Sequence, residues 1–178
     1  MRYPSILPIP GLFYPGIFVF LCCFYMPGAM SAQTVSRGPY LQLGTPTSIV
    51  VKWRTGTSTD SKVFYGTTLQ TLNQSVTLSG SRTSHELTIS NLSPNTLYYY
   101  AVGNAAGIIQ GGTSDYHFIT SPPVNTQQNI RAWVLGDCGT ASSSQTNVKN
   151  AFTTYNAGQH LDMTLLLGDN AYDSGLDA

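Results

Sequence analysis

Two short, mainly apolar runs, Ile130 to Leu135 and Met163 to Leu167, each end in Gly-Asp and bracket a helical repeat. No other feature limits the fold of the last third of the chain so strongly. The runs read as strands buried on both faces. Between them Val148, Ala151, Phe152 and Tyr155 recur at helical spacing. Ser142 with Gln145 fits a capping box, and Gly158 supplies a stop. Strand, helix, strand in this length predicts a βαβ unit with parallel, adjacent strands. Asp137 and Asp169, 32 positions apart, then lie at the same sheet end, where open α/β sheets build their sites. Adjacent strands run about 4.8 Å apart, so both carboxylates reach one small volume. Two carboxylates there repel, and one tends to protonate. A polyvalent cation removes that conflict. With the phenol of Tyr172 close behind Asp169, the oxygen-only donor set predicts a hard-metal site. Gly136, Gly139 and Gly168 allow sharp turns and close approach of backbone.

The preceding segment reads differently. Thr47 to Arg54 alternates Ile49, Val51 and Trp53 with Val50 and Lys52, the period of a strand. Further short strands are expected at Ser61 to Tyr65, Ser75 to Leu78, His85 to Ile89, Leu97 to Val102 and Tyr116 to Ile119. Turn signals stand between them at Gly56, Asn73, Gly80, Pro94-Asn95 and Gly111-Gly112. Such spacing predicts a β-sandwich. In the run Tyr98-Tyr99-Tyr100, the outer two are expected in the core and Tyr99 toward solvent. Ser121-Pro122-Pro123 reads as a stiff linker. The expected divisions are 1–32, 33–121 and 122–178.

The first of these reads as a secretory signal peptide. Arg2 is followed by an apolar stretch from Gly11 to Tyr25 and by small residues at Gly28, Ala29, Ser31 and Ala32. Cleavage after Ala32 removes Cys22 and Cys23 and leaves Cys138 as the mature chain's single cysteine. Cys138 then reads as a small residue filling the slot between Asp137 and Gly139. A secreted, extracellular or periplasmic location is expected, with no membrane attachment after cleavage. The charged fraction of 9% is low against about 25% in ordinary globular proteins, and suits a hydroxyl-decorated extracellular surface. Net charge is zero, which argues against a nucleic-acid partner. Asn73-Gln74-Ser75 and Asn91-Leu92-Ser93 are glycosylation sequons.

Trp53 on an early strand, followed by Asn91-Leu92-Ser93-Pro94-Asn95-Thr96-Leu97-Tyr98, resembles the fibronectin type III domain. There a Leu-x-Pro-x-Thr-x-Tyr segment forms a tyrosine corner. Gly136-Asp137-Cys138-Gly139 followed by Gly168-Asp169-Asn170-Ala171-Tyr172 resembles the metallophosphoesterases, in particular the purple acid phosphatases. That family's bacterial and plant members place a fibronectin-like domain first. The resemblance implies a β-sandwich followed by the start of an α/β metallophosphoesterase domain. It implies Asp137 as a ligand of ferric iron, Asp169 as a bridge between Fe(III) and a divalent metal (Fe, Zn or Mn), and Tyr172 as the phenolate that gives colour. It further implies a phosphate monoester substrate and two-metal hydrolysis, with the aspartates holding metal and not attacking.

The family's later Gly-Asn-His, His and Gly-His-x-His motifs do not occur in the 178 residues, and His85, His117 and His160 fit none of those positions. The chain is therefore expected to be the N-terminal part of a longer protein and, by itself, inactive. The other reading of the sequence is a secreted fibronectin-like binding or adhesion module without catalysis.

Overall fold

The computed structural model describes residues 33–172; the segment 1–32, expected as a signal peptide, lies outside the described residues. The first six strands are β1 (Val35–Gln42), β2 (Ser48–Gly66), β3 (Gln74–Ser90), β4 (Leu97–Asn104), β5 (Gly107–Gly111) and β6 (His117–Ile119). All their pairings are antiparallel, in the order β1-β2-β4-β5, with β3 also on β2 and β6 also on β4. The network curls on itself. The first half of β2 pairs with β1 and with the second half of β3, whereas its second half pairs with β4 and the first half of β3.

Two expected pairs of strands are thus single elements. Thr47–Arg54 and Ser61–Tyr65 merge into the 19-residue β2, and Ser75–Leu78 and His85–Ile89 into the 17-residue β3. Gly56 and Gly80 do not end pairing, because the ladder absorbs the bend as register shifts around Thr59. Such bulges turn a strand without ending it. β1 and β5 are additions to the expected set: Gly38-Pro39 interrupts the alternation of the first, and glycines bound the second.

The alternating residues supply one core. Val51 and Trp53 from one half of β2 meet Val63 and Tyr65 from the other, with Leu87, Ile89, Tyr98, Tyr100, Val102 and Phe118. Tyr98 and Phe118 stack with centroids 5.5 Å apart, a contact type that adds about 0.5–1.5 kcal/mol to area burial. Tyr98 and Tyr100 are buried, and Tyr99 is half-buried. The tyrosine corner forms: Ser93 N–H donates to the Tyr98 phenol oxygen at 3.0 Å. Thr120 closes it, donating to Ser93 O at 2.6 Å and accepting from Thr96 N–H at 2.9 Å.

Beyond residue 121 lie β7 (Ala132–Leu135), α1 (Ser143–Asn156) and β8 (Met163–Leu166). β7 and β8 pair in parallel, as a βαβ unit requires. The capping box is only half formed. Ser142 is the N-cap residue but makes no side-chain cap bond. Its hydroxyl instead lies 2.7 Å from that of Thr140, and Gln145 accepts from Ala141 N–H, one residue earlier than expected. The helix ends with Ala157 in the left-handed region, one residue before Gly158. The expectation of strands buried on both faces is not met, since every residue of β8 is exposed and β7 is at most half-buried. One helix and two strands cannot cover both faces of a sheet. Of the expected helix face, Phe152 does pack, stacked on Trp133 at 3.9 Å, while Tyr155 is 86% exposed.

Tyr98→Phe removes the acceptor of a half-buried amide and should destabilise the sandwich by about 1–2 kcal/mol. Tyr99→Phe should change stability by less than ~0.5 kcal/mol. Urea unfolding of the two variants beside the parent checks both values.

Candidate metal centre

The ladder that pairs Leu135 with Leu166 continues past the ends of both strands. Leu167 N–H donates to Leu135 O at 2.9 Å, and Asp137 N–H to Gly168 O at 3.2 Å. The two loops then bond across each other. Gly139 N–H donates to Asp169 O, and Tyr172 N–H to Gly139 O, both at 2.9 Å. Side chains repeat the link: the Cys138 thiol lies 3.6 Å from Asn170 Oδ1. The sequence reading gave Cys138 and Asn170 no such role, although each directly follows a motif aspartate.

The three residues singled out from sequence come together. The Tyr172 phenol oxygen lies 2.6 Å from Asp169 Oδ2 and 3.1 Å from Asp137 Oδ1. One hydroxyl hydrogen is thus shared between two carboxylates. The bond to Asp169 is the main reason that Tyr172 holds its proton well above the ordinary tyrosine range, followed by desolvation and then by Asp137. A trivalent cation held by Asp137, Asp169 and Tyr172 would displace that proton, as metals do to coordinating thiols.

Both aspartates adopt a left-handed backbone, with φ 52° at Asp137 and 53° at Asp169. Non-glycine residues seldom sit there, although Asp tolerates it better than most. Of the three motif glycines, Gly139 is required by close approach, because a Cβ there would lie 2.2 Å from Ala171 N. Gly168 is required by its φ of 126°. At Gly136 a Cβ would meet only an ordinary contact with Leu167, so the expected close approach is not found there. Asp137 faces a hollow of about 790 Å³ also lined by Thr140, Ser142, Ser144 and Lys149.

By donor type the three oxygens fit a hard cation. Among the described residues there is no cluster of three or more His, Cys, Asp or Glu able to hold a metal. The chain's histidines lie elsewhere. His85 and His117 are in the sandwich strands, and His160 faces Asp162 at 3.6 Å before β8.

A curled antiparallel sandwich with a tyrosine corner, followed by a βαβ unit with carboxylates at its strand ends, defines a fibronectin type III-like domain joined to the start of an α/β domain. Residues 37–120 match the family model described as purple acid phosphatase, N-terminal domain. Among solved structures, PhoD aligns with a TM-score of 0.56 at 16% identity, covering 76% of this chain and 28% of that chain. The chain thus spans about a quarter of that protein's length. The chicken CNTN1 FN1–FN3 domains align at 21% identity and a TM-score of 0.38, covering 49% of this chain and 32% of that one. The fn3 domain of human contactin 1 aligns at 19% and 0.36, covering 56% and 90%. No curated protein matches the chain in sequence.

Gly139→Ala should separate the crossed loops. Amide hydrogen exchange at Gly139 and Tyr172 should then quicken by ~10-fold or more, with exchange in β2 and β4 unchanged.

Proposed function

We propose that the chain is the N-terminal part of an exported acid phosphatase that hydrolyses phosphate monoesters. Asp137, Asp169 and Tyr172 hold the metal centre. The observation that carries this reading is the convergence of two carboxylates and one phenol on a single point in a chain whose sandwich matches the purple acid phosphatase N-terminal domain model.

Asp137 and Tyr172 would hold Fe(III), and Asp169 would bridge it to a divalent ion, Fe, Zn or Mn. When bound, such a pair supplies the positive charge that activates water and neutralises phosphate oxygens during in-line attack. The chain's own residues do the positioning. The bond from Gly139 N–H to Asp169 O fixes the second carboxylate relative to the first loop. Tyr172 is set by its own N–H on Gly139 O. Lys149, on the wall of the hollow beside Asp137, provides a cation for an anionic ester. The aspartates remain ligands throughout.

Titration with ferric iron should produce a visible phenolate-to-iron band. Tyr172→Phe should abolish the band, and Tyr155→Phe should retain it. In the intact protein, Asp137→Ala should lower hydrolysis of p-nitrophenyl phosphate by on the order of 1,000-fold. Absence of the band in the parent chain would leave the fibronectin-like module as the functional part.

A further inference from the structure

The sandwich buries one histidine, which the metal centre does not use. His85 is 2% exposed and lies flat on Trp53, with ring centroids 4.7 Å apart and planes 8° from parallel. It sits beside the bend where β2 passes from its first set of partners to its second. Both ring nitrogens are engaged, Nε2 with Thr55 Oγ1 and Nδ1 with Ser61 Oγ, each at 2.8 Å. Thr55 and Ser61 flank the bend on either side, and both are buried.

The hydrogens on this chain of groups can be assigned. Thr55 Oγ1 gives its single hydrogen to Thr57 O at 2.8 Å, so it accepts from His85 Nε2–H. With the ring proton on Nε2, Nδ1 accepts the hydroxyl hydrogen of Ser61, whose oxygen in turn accepts from the Arg82 guanidinium at 3.0 Å. The imidazole is held neutral, as the Nε2–H tautomer, with every donor matched to an acceptor. A second proton, on Nδ1, would point at the hydroxyl hydrogen of Ser61 with the Arg82 cation directly behind it.

We propose that His85 is a proton-sensitive joint between the two halves of β2, which weakens the sandwich as the pH falls through the ordinary histidine range. The charged surroundings favour this direction. Arg82, from β3, opposes protonation, and burial opposes it more strongly, while Asp60 of β2 acts the other way. Asp60 is itself bonded to Ala105 N–H at 2.9 Å. A small recess at His85 and Trp53 is also lined by Arg37 and Tyr40 of β1, Lys52 and Arg54 of β2, and Glu86 of β3. Lys52 and Glu86 pair there at 2.8 Å. An unfolded histidine takes its proton near pH 6.5, and His85 in the folded domain does so only at lower pH. Between those values the unfolded state binds more protons, so stability is full above the histidine range and declines below it.

The test is urea unfolding of the chain from pH 7.5 to 5, in a Trp133→Phe background so that Trp53 reports. The unfolding constant should rise by up to ~10-fold per pH unit at the acid end. The exposed histidines are controlled by a His117→Gln, His160→Gln double variant, which should keep the slope, whereas His85→Gln should lose it. Persistence of the slope in His85→Gln would overturn the proposal. Should that variant fail to fold, ring nitrogen shifts of the parent decide. A neutral Nε2–H tautomer at pH 5.5 in the folded state supports the joint, and a doubly protonated His85 there overturns it. Arg82→Gln should make the acid decline smaller and end it at higher pH, because it removes a charge that opposes protonation of His85.

Discussion

Backbone pairing between β2 and β3 is the constraint on which the sandwich depends. The two strands remain partners from Ser48↔Ser90 to Tyr65↔Gln74, on both sides of a bend. Because side chains alternate along a strand, a strand that turns without breaking places Val51 and Trp53 opposite Val63 and Tyr65 in one core. The bend would otherwise leave polar groups buried without partners, at about 1–3 kcal/mol each. Thr55, Ser61 and His85 meet that demand with one another and with Arg82. Trp53 Nε1 has no partner among the described residues, and nothing in the structure explains it.

The metal centre follows a different logic. Its geometry depends on parallel register. Pairing Leu135 with Leu166 puts Asp137 beside Gly168, and the crossed amide bonds then bring Asp169 and Tyr172 to Asp137. The two carboxylates share the phenol hydrogen of Tyr172, which offsets part of their mutual repulsion.

Much of this is written in local sequence. The tyrosine corner is legible because its residues act within a few positions of one another, as the bond from Ser93 to Tyr98 shows. The meeting of Asp137 and Asp169 is legible because βαβ handedness leaves little choice about where two strand ends lie. The continuity of β2 through Gly56 is not, because a glycine that bends a ladder and one that ends it look alike in sequence. β1 is hidden by Gly38-Pro39. Exposure of β8 also escapes the sequence, since an apolar strand is buried only where something packs on it. The left-handed φ at both aspartates is set by the crossed loops and has no local signal beyond the tolerance of Asp for it.

The exposed strand has a practical consequence. Leu165, Leu166 and Leu167 are 44%, 54% and 72% exposed, and among the described residues β7 and β8 pair only with each other. Each therefore offers an open row of backbone donors and acceptors beside apolar side chains. Such an edge recruits strands from other molecules and promotes aggregation. The α/β segment is thus the part that would govern solubility and handling: a charged residue placed at Leu166 would act as a gatekeeper against fibre-like stacking without touching the ligands at the strand ends.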